Sequence, residues 1–468
     1  MDRMLNAKQN NWPFVLAILL TSIAACLVYI FVLKDDDVTE AEQELGPNAF
    51  ADYDMEVHVF NGSLTVSAEI EVANKSANAW KDVGFNFVPN ALHERGIAAI
   101  TAAVTETRIY SVRDADGDLY YKSNDNQLFI QLPQPLEPGQ TKKITVEYAL
   151  RNQNIDGTHQ SSEDDLFFSQ WYPEIAHYNK GWSIHDVSLK GDTVYPTYSD
   201  FIIHYKVDSP RFVVSSAVDG EVKERSSGSL ESKQTESFAI GFLNPANWTS
   251  FSNKVNDTNL RFFLPTGSPI EQTTVFPANE AFSFFEENIG DHPSEELDLI
   301  GASFGSNSNV IGMGEPPIEP QGLPSSIASQ WFGELVLSDP YEDAWLSRSL
   351  SKYAGDAYLL ERGTDQEAVF EDAVSVLKRE RAEQFANLPL NDMGEQSYGA
   401  TLYEKVPLLL RDFFQDKGGS EAAIHFLSDY YNEYKFQHVD SRTFAVFFEE
   451  HYEGNQSEWL NEWLKLDE

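Results

Sequence analysis

The 468-residue chain has a single cysteine, Cys26. No disulfide can form within it and no cysteine metal site can be built, so the fold must stand on packing. Basic residues are also few: 33 Lys and Arg stand against 74 Asp and Glu, a formal net charge of −41. The acid is spread along the chain rather than gathered in a tail. Phosphate backbones need a basic face, so nucleic acid is excluded as a partner. The ten histidines are scattered, and no two stand three or four residues apart. No single helix can therefore offer two imidazoles to one metal ion. A site assembled from histidines distant in sequence stays open.

One long apolar run is present. Residues 12–33 form an uncharged stretch of 22, and a helix of about 20 residues spans a bilayer. Arg3 and Lys8 precede it, and Asp35-Asp36-Asp37 follow Lys34. The positive-inside rule places residues 1–11 in the cytoplasm and the bulk of the chain outside, as a single-pass protein of the cell membrane. A cleaved leader is the competing reading, because Ile23-Ala24-Ala25-Cys26 resembles a lipoprotein box and would anchor the protein at Cys26. Leu27 to Leu33 stay apolar after that cysteine, which favours the uncleaved anchor.

Residues 34–50 are acidic and aperiodic and read as a tether. Residues 51–255 read as a β-rich domain. Leu64, Val66, Ala68, Ile70 and Val72 alternate with polar residues, the period of a half-buried strand. Leu128-Ile130-Leu132 and Ile144-Val146-Tyr148-Leu150 repeat it, and Asn61-Gly62 is a hairpin signal. Strands are also expected at 201–207 and 211–218, and no helix before about residue 255. The pattern changes in residues 256–468. A helix is expected at 275–289 and a strand at 297–300. After Pro324, taken as the first residue of a helix, further helices are expected at 341–361, 365–386, 400–416, 420–434, 440–452 and 456–465. The fold class is thus multidomain, β plus α/β, becoming helical at its end. The aromatic residues crowded near the C-terminus, from Phe413 to Trp463, have core spacing.

Two short motifs carry little chemistry. Gly301-Ala302-Ser303-Phe304-Gly305 matches Gly-x-Ser-x-Gly, but a nucleophile elbow needs a helix straight after it and Ser306-Asn307-Ser308-Asn309 reads as a loop. Asp114-x-Asp116-Gly117-Asp118 lacks the downstream Glu of a calcium loop and reads as a hairpin turn.

A set of motifs in common order carries more. Trp331-Phe332-Gly333, Asp339, Asp343-Ala344-Trp345-Leu346 and Tyr353 resemble the zinc aminopeptidases of the gluzincin group, typified by membrane alanyl aminopeptidase. Gly312-Met313-Gly314-Glu315 looks like a degenerate Gly-x-Met-Glu-Asn motif. Tyr403-Glu404-Lys405 looks like the family's Tyr-Glu-Lys-Gly, with Val406 in the glycine position. Asn74-Lys75-Ser76, Phe85 to Asn90 and Trp171-Tyr172-Pro173 extend the likeness over about residues 52–468. The resemblance implies a saddle-like β domain followed by a thermolysin-like α/β-to-α domain, and a zinc cofactor.

Carried over residue by residue, the resemblance places the two ligand histidines on Ser325 and Ser329 and the general base on Ser326. The third ligand, nineteen residues past the second histidine, falls on Arg348. Serine is a poor zinc ligand, and arginine stays protonated and cannot ligate. The substrate-amine glutamate falls on Glu315 and the transition-state tyrosine on Tyr403. No metal is therefore expected, and Ser325, Glu315, Arg348 and Tyr403 are the candidates to line a metal-free cleft. Arg348 would supply positive charge where zinc sat, pairing with Glu315. The expected function is that of a membrane-anchored, extracytoplasmic pseudoenzyme binding a peptide or a protein partner. The alternatives are an active zinc aminopeptidase with a rewired site and a purely structural membrane-tethered interaction module.

Overall fold

The computed structural model describes residues 48–60, 63–95, 104–152, 165–268, 274–302, 306–314, 322–380, 383–452 and 456–466. The expected membrane span 12–33, Cys26, nearly all of the tether 34–50, the turn Asn61-Gly62 and Glu315 lie outside these residues. Among the described residues, no helix is long and apolar enough to cross a membrane.

The β-rich part is built on alternation. In strands Ala49–Phe60 and Ser63–Asn74, and over residues 144–150 of strand Thr141–Asn152, every second side chain is buried, including Met55, Val57, Leu64, Val66, Ile70, Ile144, Val146 and Tyr148. Both faces of such a strand cannot be apolar in an open sheet, so the alternation fixes which face meets the core. These strands belong to a nine-stranded sheet that also holds Val104–Asp114, Ser199–Ser215, Arg225–Thr235, Ile240–Leu243 and Leu166–Phe168. Its one parallel pair joins Ala49–Phe60 to Ser199–Ser215. A four-stranded sheet containing Trp80–Asn86 and Gln127–Leu136 packs on the same core, through Trp80, Phe85, Leu128 and Ile130. The 113–118 turn is a hairpin whose Asp114 carboxylate accepts from the amides of Asp116 and Gly117.

The structure departs from the sequence expectations in four places here. A helix, α1 (Val88–Arg95), lies within the β-rich part; it is only two turns long, too short for a 3.6-residue apolar repeat to show. Segments 201–207 and 211–218 are one strand, Ser199–Ser215, with an irregularity between Lys206 and Arg211. Its first half pairs with Arg225–Thr235 and its second half with Ile240–Leu243. Strand Trp248–Val255 pairs with Thr258–Pro265 in a separate five-stranded sheet, so the sheets change over between residues 243 and 248, ahead of the 255/256 boundary. Ser306–Asn307 is a strand, so no helix follows the Gly301 motif directly.

The five-stranded sheet runs in part parallel, with Thr258–Pro265 beside Glu296–Ile300 and Val310–Gly312 next. Between the first two strands the chain crosses as α2 (Phe276–Asn288), whose Ala278, Ala281, Phe282 and Phe285 are buried. Then come α3 (Gly322–Phe332) and α4 (Ala344–Glu361). Helix α3 starts two residues before Pro324, which still sits in the first turn where a missing N–H costs nothing. The expected 365–386 helix is two pieces, α5 (Gln366–Val369) and α6 (Glu371–Arg379). Helix α7 (Glu395–Gly399) leads through a π-helical turn, Ala400–Lys405, into α8 (Val406–Gln415). Helices α9 (Ser420–Tyr434), α10 (Ser441–His451) and α11 (Ser457–Asn461) follow. Phe414, Phe426, Tyr430, Phe444, Phe448 and Trp463 form the core of this end. All described residues belong to one compact unit.

Candidate functional site

Helix α3 has two faces. Leu323, Ile327, Ala328, Trp331 and Phe332 are buried on one side. Trp331 packs against Phe282, Phe285 and His292, and its indole N–H donates to the Gly290 carbonyl at 2.8 Å. The other side carries Ser325, Ser326 and Ser329, which a spacing of one and four residues keeps together. Helix α4 lies close against it. A Cβ at Gly355 would collide with Ser325, so the small residues let the two backbones approach. On α4, Ser347, Ser351, Arg348 and Lys352 repeat the four-residue spacing and look onto the same space.

That space is a cleft of about 360 Å³, lined by Ser325, Ser326, Ser329, Arg348 and Tyr403 among others. Five of the six residues singled out in the sequence therefore share one cavity; Glu315 lies outside the described residues. The serine hydroxyls are committed. Ser325 donates to the Lys352 carbonyl at 3.4 Å and Ser326 to the Gly322 carbonyl at 3.2 Å. Ser329 donates to the Ser326 carbonyl at 2.7 Å and bonds with the Ser306 hydroxyl at 2.8 Å.

Arg348 does not stand alone. Its guanidinium is ion-paired with Asp192, from the irregular segment between strands Trp182–Ser183 and Ser199–Ser215. Burial disfavours its charge, but Asp192, with Tyr403, Tyr398 and Glu334 nearby, outweighs that and holds it protonated. The Tyr398 hydroxyl also bonds with Arg348; burial pushes that phenol up to about 12, with Arg348 pulling it back. The expected pairing of Arg348 with Glu315 is thus supplied, among the described residues, by Asp192.

Reading the sequence missed the carboxyls that dominate the cleft. Glu174, Asp192, Glu236 and Glu334 all line it. Glu236 and Glu334 interact with each other, and Ser308 lies between them, its hydroxyl accepting from the Glu236 amide at 3.2 Å and donating to Glu334 at 3.4 Å. Two carboxyls placed together resist ionising together. Burial pushes both groups up; the neighbouring charge of Glu236 drives Glu334 further, while Arg348 pulls both down. Glu174 is buried, and its Oε1 has no hydrogen-bond partner among the described residues. Burial first, then Glu236 and Asp192, push it well up. Two of these were one residue beyond a recognised motif: Glu174 follows Trp171-Tyr172-Pro173 and Glu334 follows Trp331-Phe332-Gly333. Asp192 and Glu236 carry no local pattern at all.

No family model matches the chain, and no curated protein matches it. Solved structures do. The M1 zinc metallopeptidase of Deinococcus radiodurans is 16% identical, with 90% of this chain and 95% of that one covered and a TM-score of 0.66. A mutant of that enzyme bound to a Tyr-Ser-Ala substrate is 14% identical, with 89% and 94% covered and a TM-score of 0.63. Native yeast LTA4 hydrolase is 12% identical, with 89% and 68% covered and a TM-score of 0.58. The fold is that of the M1 zinc metallopeptidases. It combines a β-rich part with a helical one, as the resemblance implied.

The zinc implied by that fold family does not suit the residues at these positions. Ser325, Ser326 and Ser329 have hydroxyls turned to carbonyls and to Ser306, and Arg348 is a fixed cation. Among the described residues, the cleft brings no three imidazole or carboxylate ligand atoms within 4.8 Å of one another.

Proposed function

We propose that the chain is a membrane-anchored, extracytoplasmic aminopeptidase-like pseudoenzyme, tethered through residues 12–33, whose metal-free cleft captures the N-terminal ammonium of a peptide or protein partner. The observation that carries this is the meeting of Glu236 and Glu334 in an open cleft where acid outnumbers base, which pushes both carboxyls toward their protonated forms. A primary ammonium brings three N–H donors and a positive charge. It can replace a proton held there, bond to both carboxylates and leave one proton to solvent. Glu174, buried with an unpartnered oxygen, offers a further acceptor. Arg348, held by Asp192, keeps the cleft from carrying its full acidic charge when no ligand is present. The Tyr-Ser-Ala substrate of the Deinococcus relative has a free amino group of this kind, which favours the same ligand class here. The open cavity supports a binding role over a purely structural one.

Ser326 has no partner base among the described residues, and its hydroxyl donates to a carbonyl. Tyr-Ser-Ala amide and its N-acetyl form, titrated calorimetrically into the full-length protein, test the proposal. The free-amine form is expected to bind with proton release, read from runs in buffers of different ionisation heat, and to be recovered intact. Equal binding of the two forms, or zinc-dependent release of tyrosine, overturns it.

A further inference from the structure

A second constellation lies in the C-terminal helices, outside the cleft. His425 and Asp429 stand four residues apart on α9 and share one face of it. His451 is the last residue of α10. Asp429 Oδ2 is 3.2 Å from His425 Nδ1 and 3.6 Å from His451 Nδ1. One ligand atom from each of the three residues lies within 4.8 Å of the other two. Tetrahedral zinc with bonds of 2.0–2.2 Å sets its ligand atoms about 3.4 Å apart. The two measured separations bracket that spacing.

The scaffold holds the least flexible of the three in place. The His451 ring packs on Tyr452, Phe426 and Phe447, with centroids at 4.7, 5.3 and 5.9 Å. Its side chain is 21% exposed, while Asp429 and His425 are 45% and 74% exposed. One ligand is therefore pre-positioned by aromatic packing, and the others face solvent where an ion can enter. Two imidazoles and a carboxylate suit zinc among the common divalent ions, and a fourth position is left for water.

We propose that His425, Asp429 and His451 form a zinc-binding site that joins α9 to the end of α10. Neutral imidazoles then donate nitrogen lone pairs to the ion, and Asp429 supplies the balancing charge. The site has no part in the cleft chemistry, and its success or failure leaves the proposed function untouched.

The test is a Zn²⁺ titration of the full-length protein against a chromophoric chelator at pH 7.5, with circular dichroism to check folding. Wild type is expected to bind one ion per chain. His425→Ala, at an exposed position, is expected to fold and to lose at least about tenfold in affinity, since even residues behind a metal ligand are worth 10–100-fold. Asp429→Asn is expected to do the same without touching the aromatic packing, and Ser325→Ala to leave binding unchanged. Failure of wild type to bind one ion, or undiminished binding in both His425→Ala and Asp429→Asn, overturns the proposal.

Discussion

Two arginines show what the same side chain does in a closed and in an open setting. Arg261 is buried and answers three carboxylates at once. Its guanidinium makes a two-pronged contact with Asp298, at 2.6 and 2.7 Å, pairs with Asp219, and lies 3.3 Å from Glu296. Those acids are in turn occupied: Ser215 donates its amide to Asp298, and Asp219 and Gly220 donate theirs to Glu296. Among the described residues, Arg348 has one carboxylate partner within ion-pair distance, Asp192, and its side chain is 33% exposed. Around it stand carboxyls that compete for protons. A saturated charge network has nothing left to offer a ligand and serves the fold. An unsaturated one beside water can exchange partners.

The contrast can be broken most forcefully at Arg261. Arg261→Met leaves Asp298 and Glu296 buried without their cation, while Asp219 keeps Arg225 at 3.6 Å, and is expected to cost about 3–5 kcal/mol, seen as a lowered urea midpoint. Next in size is Glu334→Gln. It removes one acceptor and its titrating proton, so the affinity for Tyr-Ser-Ala amide is expected to fall by about 1.5–3 kcal/mol, with proton release abolished. Arg348→Ala is expected to change stability by no more than about 1 kcal/mol, because water screens its pair with Asp192. Its signature lies in the pH profile. Arg348 lowers both Glu236 and Glu334, so its loss is expected to move the rise of ammonium binding to higher pH. An unmoved profile would separate Arg348 from the carboxyl pair.

The smallest effect sharpens the comparison through pH alone. Glu334 has a folded pKa above its unfolded value, near 4.3. In the interval between the two values the folded state holds the extra proton, so this group's contribution to stability is full below pH 4.3 and is lost as pH rises through the folded value. Wild type is expected to lose stability over that interval relative to Glu334→Gln. Parallel stability curves from pH 4 to 8 would count against the raised carboxyl.

Much of the framework is legible from residue types. Leu64, Val66, Ala68, Ile70 and Val72 announce their strand because a period of two has one physical reading when one face meets a core. Trp331, Phe332 and Trp345 mark helices whose packing depends on large apolar side chains. The cleft-facing serines and Arg348 are found through the family resemblance, which places them in register with those packing residues. The four acidic residues of the cleft are not, because their meaning arises only when distant segments meet. Asp192 sits in a segment without regular structure, and Glu236 follows the end of a strand at Thr235. Nothing in a chain with 74 acidic residues singles these out. The short helix α1 and the single strand Ser199–Ser215 were hidden for a related reason: a two-turn helix and an irregular strand both break the period by which they would be read.

The Arg261 network also ties separate sheets together. Asp219 belongs to the loop after strand Ser199–Ser215, while Asp298 and Glu296 belong to the five-stranded sheet. Tyr198 donates to the Glu334 carbonyl at 3.2 Å, and Lys190 donates to the Leu390 and Met393 carbonyls at 2.6 and 2.8 Å. The two walls are riveted at several points, so the slot between them is a gauge set during folding. Entry then needs no door to open: association is expected to be a single, concentration-proportional phase in stopped flow, without the plateau that a slow rearrangement imposes.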